Sequence, residues 1–276
     1  MNKASNSKSF LKDNIKLIRT LAKNDLKARF AGSYLGVIWA FVQPIVMVLV
    51  YWFVFEMCLS TGTQKTKAGI DAPFVLWLLS GLVPWFYFQE AWSSATGCFN
   101  EYNYLVKKVV FNISILPIVK IISSLFVHVI LVAFTIFMFT VIKPELITPY
   151  AIQVIYYSFA MMVLITGLSY ISSAIMVFFR DIRDIIGILL QIGIWGTPIM
   201  WNLYSPQLHV PGWAQTIIKL NPMFYITDGY REALIGGRGF WEKPALTAYY
   251  WCFTIVILAL GVHVFNKLKD NFADVL

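Results

Sequence analysis

Six long apolar segments constrain this chain more than any other feature of its sequence. Each segment approaches or exceeds the roughly 20 residues that an α-helix needs to cross a bilayer. The segments cover residues 34–59, 74–98, 115–142, 150–179, 185–201 and 246–265. Because backbone groups in lipid must be hydrogen-bonded inside the protein, all six are predicted to be helices. Pro84 and Pro198 lie inside the second and fifth segments and predict kinks or breaks there.

The composition agrees with a membrane protein. Hydrophobic residues make up 59% of the chain and charged residues 13%, about half the charged fraction of a soluble domain. The first thirty or so residues are polar and basic, so they do not resemble a cleaved signal peptide. We therefore predict an all-α membrane protein, with residues 1–33 as a cytoplasmic interface helix and residues 34–276 as a six-span transmembrane domain.

Basic residues predict the orientation of the chain. Eight of them precede residue 30, and further pairs follow the second, fourth and sixth segments, whereas the opposite short loops hold three lysines. The pairs are Lys107 and Lys108, Arg180 and Arg183, and Lys267 and Lys269; the three lysines are Lys65, Lys67 and Lys143. The positive-inside rule then places both termini in the cytoplasm. This bias accounts for most of the net charge of +8, and no nucleic-acid partner is needed to explain it.

Two regions outside the spans have patterns of their own. In the N-terminal region, Leu11, Ile15, Ile18 and Ala22 recur at helical spacing beside a stripe of basic residues, which predicts an amphipathic helix on the membrane surface. In the outer region, residues 202–245, prolines 211 and 222 can each start a short helix. We expect these two helices to be re-entrant and to form an outer gate.

Motifs for enzymatic chemistry are absent from the sequence. It contains no GxxxxGK[ST], HExxH or GxSxG pattern, and its three cysteines are scattered among apolar segments. His128 could relay protons, although a hydrogen bond to a neighbouring helix is the commoner role. Glu90, a carboxyl group within a span, is either a functional residue or a hydrogen-bonded packing residue. We therefore predict a transport protein that binds no metal or cofactor itself.

Four local patterns, taken in order, resemble the permease subunits of type-2 ABC exporters, in the group that exports O-antigen and teichoic acid. The patterns are Asp25–Arg29 with Ser33–Trp39 and Gln43-Pro44, the short loop Phe178–Asp184, Asn221-Pro222 followed by Arg231, and Asp270–Leu276. The resemblance covers essentially the whole chain. It implies a bacterial cytoplasmic-membrane protein that works as two permeases with two separate ATPase subunits, which bind ATP and Mg²⁺. It also implies a polysaccharide substrate linked to an undecaprenyl-type lipid.

Candidate pathway residues follow from that expected role, because a sugar channel needs aromatic faces and a few polar groups. Gln191, Trp195, Pro198 and Asn202 recur at helical spacing and predict one polar-aromatic stripe on the fifth span. The other candidates are Trp39, Gln43, Trp52 and Glu90. The alternative role for these side chains is in interfacial belts and helix-helix hydrogen bonds.

Charged and loop residues supply three further hypotheses. Lys27 and Arg29 are candidates for binding the lipid diphosphate, or else contact anionic headgroups. The residues Arg180, Asp181, Arg183 and Asp184 form either an inner gate or a set of caps and headgroup contacts. The candidate ATPase-coupling residues are Tyr104, Leu105, Val106, Lys107 and Lys108, in a loop that could instead be a solvated connector.

Two other functions remain open from the sequence. One is a type-2 permease for small hydrophobic drugs or lipids, which the aromatic outer helices and the polar fifth span disfavour. The other is a membrane enzyme of glycolipid synthesis, which the lack of clustered acids or histidines disfavours. An adjacent gene for an ABC ATPase among glycosyltransferase genes would favour export.

Overall fold

The computed structural model describes residues 2–29, 34, 36–66, 69–107, 112–205 and 208–275. These ranges are almost entirely helical, which confirms the predicted all-α class. The α-helices in chain order are α1 (Asn2–Arg29), α2 (Trp39–Trp52), α3 (Phe74–Thr96), α4 (Cys98–Glu101), α5 (Asn103–Val106), α6 (Ile115–Ile142), α7 (Gln153–Met176), α8 (Ile182–Gly196), α9 (Gly212–Leu220), α10 (Pro222–Arg231), α11 (Pro244–Leu268) and α12 (Phe272–Val275). Two short strands, β1 (Gln64–Lys65) and β2 (Asp71–Ala72), pair antiparallel.

Four helical segments in the described ranges are long and apolar enough to cross a membrane. They are Trp39–Cys58, Ile115–Ile142, Pro149–Met176 and Pro244–Asn271, and they match the first, third, fourth and sixth predicted spans. The segment Trp39–Cys58 combines α2 with a π-helical turn over Phe53–Cys58. The segment Pro149–Met176 begins with a 3-10 turn over Pro149–Ile152 and continues as α7. The chain is therefore a multi-pass membrane protein.

The second and fifth predicted spans are the helices α3 and α8, which differ from the other four. The 23 residues of α3 reach about 35 Å, enough for a bilayer, and α3 lies in the centre of the fold against α6, α7 and α10. Pro84 lies within α3 without ending it. The 15 residues of α8 reach only about 22 Å, and Ile186 and Leu190 are the residues it buries.

A close helix crossing holds α7 against α11, the most extensive helix pair in the structure. A Cβ added at Gly261 would lie 2.4 Å from the carbonyl oxygen of Gly167, and one added at Gly167 would lie 2.8 Å from the backbone nitrogen of Leu258. Small residues let the two backbones touch, which is how helices gain packing energy in lipid.

The N-terminal helix α1 lies against α6 at its C-terminal end. Ala22 and Asp25 are buried, whereas Ile15, from the predicted apolar stripe, is 65% exposed. Lys16, Arg19, Lys23 and Lys27 are exposed, as expected of the basic face. The predicted helix is confirmed, but its contact face includes a buried carboxyl group that the pattern of apolar residues did not indicate.

The two predicted short helices of the outer region are α9 and α10. Pro211 precedes α9, Pro222 begins α10, and a π-helical turn over Glu232–Gly236 leads into Gly237, whose positive φ of 59° ends the helix. Every residue of α10 from Met223 to Arg231 is buried in protein, so this helix packs inside the bundle and presents none of these side chains to lipid. By contrast, α9 exposes Trp213, Ile217 and Leu220.

Candidate functional site

A pocket of about 310 Å³ lies between α2, α3 and α6 near the end of α1. Its wall is mainly aromatic and apolar, with a few converging polar groups. The side chains that matter for its chemistry are Arg29, Trp39, Gln43, Phe86, Tyr87, Gln89, Glu90, Ser124 and His128. Five residues singled out in the sequence therefore come together at one site: Arg29, Trp39, Gln43, Glu90 and His128.

Ion pairs at the edge of this pocket involve Arg29. Its guanidinium donates to the carboxylate of Glu90, to Asp25 at 3.2 Å and to the hydroxyl of Ser94 at 3.4 Å. Two carboxylates thus share one positive charge, which leaves Arg29 less suited to bind a diphosphate. Lys27 is exposed and has no ion pair within the described ranges, so its charge remains available.

A second cavity of about 430 Å³ adjoins the first and shares Arg29 and Glu90 with it. Its wall is more polar and includes the buried pair Asp25 and Lys120. The Lys120 ammonium lies 2.6 Å from Oδ1 of Asp25, and each side chain is 4% exposed. Lys120 also pairs with the carboxylate of Glu101.

The environment of Asp25 favours its charged form. Burial raises the pKa of this carboxyl, but the hydrogen bond and charge of Lys120, with the hydrogen bond from Tyr102, outweigh that effect. The net pKa lies below the usual value of 3.8. Tyr102 donates its hydroxyl to Asp25 at 2.8 Å, so α1, α6 and the loop after α3 meet at one carboxylate.

The sequence did not lead us to predict a role for Lys120 or its pairing with Asp25. The available signal was a lysine five residues into an apolar span, which is costly in lipid unless it has a partner. Asp25 lies one turn after Ala22, on the face of α1 that contacts the protein. Together these positions could have indicated an ion pair between α1 and α6.

Deeper in the first pocket, His128 and Ser124 lie one turn apart on α6, and each is 2% exposed. Nε2 of His128 lies 2.9 Å from the Tyr230 hydroxyl and 3.2 Å from the Ser158 hydroxyl, and the ring stacks on Tyr87 at 4.7 Å. His128 therefore hydrogen-bonds to neighbouring helices, the commoner of the two roles considered. The Ser124 hydroxyl has no hydrogen-bond partner among the described residues.

The predicted stripe on the fifth span is only partly correct. Gln191 and Trp195 lie on the exposed side of α8, but the helix ends at Gly196 and Thr197 is extended. Pro198 and Asn202 therefore do not continue the same face. Asn202 is buried and donates to the carbonyl of Lys65 at 2.8 Å.

Arg231 explains why the chain can break after α8. Its guanidinium donates to the carbonyls of Pro198 and Ile199 and lies 4.0 Å from the ring of Trp77. These bonds satisfy backbone carbonyls that would otherwise be unpaired where the helix ends.

Other outer-region charges form a separate buried group. Lys243 lies 2.5 Å from Asp228 and 2.9 Å from Glu232. With Arg231 these groups carry two positive and two negative charges, so the buried set is neutral. Asn221 caps α10 by accepting from the amide of Met223 at 3.0 Å, which accounts for the Asn-Pro pattern.

The remaining pathway and gate candidates lie outside the first pocket. Trp52 is half-buried and packs against the main core. Arg180, Asp181, Arg183 and Asp184 are all exposed, and the described ranges contain no ion pair among them. Arg183 lines the second cavity. The four residues do not form an internal network within one chain.

The candidate coupling loop contains the one-turn helix α5. Tyr104 and Lys107 are exposed, Leu105 is half-buried, and Lys108 lies outside the described residues. Val106 is buried in a second core cluster with Phe99, Phe265 and Phe272. Val106 is therefore placed to hold the loop against the bundle, and only its neighbours can face a partner.

The described part of the chain contains no group of three or more His, Cys, Asp or Glu side chains suited to a metal ion. The charged residues near the pocket pair with one another instead. The site is thus built for binding through hydrogen bonds and aromatic contacts.

Comparisons with known proteins cover nearly the whole chain. The model of the ABC-2 type transporter family matches residues 16–235. An O-antigen export system permease protein from Klebsiella pneumoniae is 24% identical over 262 residues, which is 94% of this chain and 95% of that protein. The permease of the same name from Myxococcus xanthus is 25% identical over 94% of both chains. A polysialic acid transport protein from Escherichia coli is 22% identical over 92% of this chain and 93% of its own length.

Proposed function

Because this chain belongs to the ABC-2 type transporter family, we propose that it is the permease of an exporter for a lipid-linked polysaccharide. The observation that carries the proposal is the full-length similarity to proteins named for O-antigen export and polysialic acid transport. The substrate would be an O-antigen-like or teichoic-acid-like polymer on an undecaprenyl-type lipid, exported across the bacterial cytoplasmic membrane.

ATP hydrolysis would take place on a partner. The sequence has no GxxxxGK[ST] motif, so two copies of a separate ATPase would bind ATP and Mg²⁺, and this chain would bind no cofactor. Two copies of the permease would complete the transporter. In support, α2 buries only Val48, and Gln191 and Trp195 lie on the exposed side of α8, which leaves polar-aromatic surface for a second copy.

The membrane arrangement would contain six spans, with α3 and α8 added to the four long apolar helices. Both termini would lie in the cytoplasm, and α9 would lie in the outer leaflet through its exposed Trp213. The described cytoplasmic loop residues Tyr104 and Lys107 would contact the ATPase. Arg180, Asp181, Arg183 and Asp184 would line the inner entrance, where their partners come from the second copy.

The proposal is tested by expressing the chain with candidate ABC ATPase subunits from the same genome. We expect a complex of two permeases and two ATPases that hydrolyses ATP and restores surface polysaccharide to cells lacking the permease gene. A matched ATPase variant without its Walker lysine should assemble but not export.

Two results would contradict the proposal. One is a permease that is active as a monomer without an ATPase. The other is a complex that restores resistance to a hydrophobic drug while polysaccharide stays inside the cell, which would favour a drug permease.

A further inference from the structure

The pocket between α2, α3 and α6 contains a buried hydroxyl that pairs with no residue in the described part of the chain. It belongs to Ser124, whose side chain is 2% exposed. Residues four apart on a helix lie on one face, so Ser124 and His128 belong to the same wall. Buried polar groups in native proteins nearly always have partners, and a ligand hydroxyl bound in this pocket would supply one for Ser124.

The imidazole of His128 is held in place from two sides. Tyr230 and Ser158 hold Nε2 at 2.9 and 3.2 Å, and Tyr87 stacks on the ring face with an interplanar angle of 23°. The ring therefore cannot turn without losing these contacts. A ligand would meet a wall that is already ordered, and binding would cost little ordering of the protein.

The charge of the pocket indicates a neutral ligand. Arg29 and Glu90 are the only charged residues among those that line it within the described ranges, and they pair with each other. The site therefore offers donors and acceptors with no net charge. A diphosphate would lack a free cation inside this pocket, whereas the exposed Lys27 is nearby on α1.

Its other walls suit the two faces of a sugar ring. Trp39, Phe86 and Tyr87 provide aromatic surface for the apolar C–H face of a pyranose, while Gln43, Glu90 and Ser124 can bond its hydroxyl groups. An acyl chain would leave these polar groups without partners. The volume of about 310 Å³ is at the small end for ligand pockets, and the wall from Ser124 to Leu131 is roughly 10 Å long.

We propose that this pocket binds one uncharged sugar ring of the substrate as the substrate enters from the inner leaflet. That ring is the sugar unit attached directly to the lipid diphosphate. The inference rests on the proposed function and identifies which part of the lipid-linked glycan a single permease chain recognises. The diphosphate itself would stay outside, against the basic face of α1.

The test compares two probes on the complete complex in nanodiscs. One probe is farnesyl diphosphate carrying a neutral hexose, tried as glucose, galactose and N-acetylglucosamine, and the other is farnesyl diphosphate alone. We expect at least one sugar-bearing probe to bind more tightly, and Ser124→Ala to weaken only that probe, by about 5- to 10-fold for one lost hydrogen bond. The matched control is Ser173→Ala, which removes another buried unpaired hydroxyl from α7, away from the pocket.

Ser124→Ala should also leave the thermal stability of the ligand-free protein unchanged or higher, because it removes an unsatisfied group. The inference is overturned if the sugar-free probe binds as tightly as every sugar-bearing one, which indicates a lipid-chain pocket. Equal loss of both probes in Ser124→Ala would overturn it as well. If the complex still exports glycan in these cases, only the assignment of the sugar pocket is refuted. If the complex exports no glycan, the proposed function is refuted.

Discussion

Replacing Lys120 with methionine should release α1 from the bundle and destabilise the protein. Lys120 is buried beside Asp25, whose carboxylate accepts hydrogen bonds from Lys120 at 2.6 Å, Tyr102 at 2.8 Å and Arg29 at 3.2 Å. Methionine keeps the approximate length and apolar stem of lysine but removes the charge. In the variant, Asp25 stays buried, and its remaining hydrogen-bond partners are the Tyr102 hydroxyl and the more distant Arg29 guanidinium.

The size of the effect follows from these contacts. Breaking a buried ion pair by removing one partner costs about 3–5 kcal/mol. Since Arg29 and Tyr102 still contact Asp25, we expect the lower end, about 3 kcal/mol. The pair with Glu101 adds little, because that carboxylate is 55% exposed. For a chain of this size the loss corresponds to a decrease in Tm of about 6–12 °C.

Thermal unfolding in nanodiscs measures the change, with Lys107→Met as the control because Lys107 is an exposed lysine five positions after Tyr102. The double variant Asp25→Asn with Lys120→Met removes both charges and should recover most of the loss. A cysteine in place of the fully buried Ala22, in a background without the exposed Cys58 and Cys252, should become reactive in the single variant.

The reasoning would be refuted by a Lys120→Met protein that melts within about 2 °C of the parent while the cysteine at position 22 stays protected. It would also be refuted if the double variant were as unstable as the single one, since the loss would then not come from an unpaired charge.

Four further predictions test other parts of the structure. Because the pKa of Asp25 in the folded protein is below 3.8, its charged carboxylate contributes stability above that pH, and this contribution is lost as the pH falls through the folded-state pKa. The Tm difference between the parent and Asp25→Asn should therefore be constant at about pH 5–8 and shrink below about pH 4. Arg231→Met should lower stability by about 3–5 kcal/mol, and Arg231→Lys by less, measured by thermal unfolding. Gly261→Ala should cost about 1–3 kcal/mol and Gly261→Leu should abolish folding, measured by the yield of monodisperse protein. Tyr104→Ala with Lys107→Glu should lower export several-fold at unchanged membrane abundance; normal export and ATPase binding would make the loop a connector.

The sequence by itself determined the class of the protein, four of its spans and the starts of its short outer helices. Long apolar runs have one stable form in lipid, because only a helix satisfies its own backbone within a single segment. Pro211 and Pro222 lack the amide hydrogen that a helix interior needs, so they mark helix starts without reference to the rest of the fold.

The composition of the site was decided only by the tertiary structure. Arg29, Trp39 and Glu90 come from three helices, and no periodicity within one segment reports that they share a pocket. The predicted stripe through Pro198 and Asn202 was wrong because α8 ends at Gly196, where Arg231, more than thirty residues later, satisfies the carbonyls that the break exposes.

For buried charges, too, the sequence indicates that a partner is needed, and the tertiary structure decides which residue it is. A lysine inside an apolar span indicates that a partner must exist, since an unpaired charge there is costly, but the sequence does not say which carboxylate supplies it. For Lys120 the partner is Asp25 on α1, 95 positions earlier in the chain. The energetic cost of burying a charge depends on the residue type and its depth in the membrane. The ion pair that offsets this cost depends on which helices lie next to each other in the folded protein.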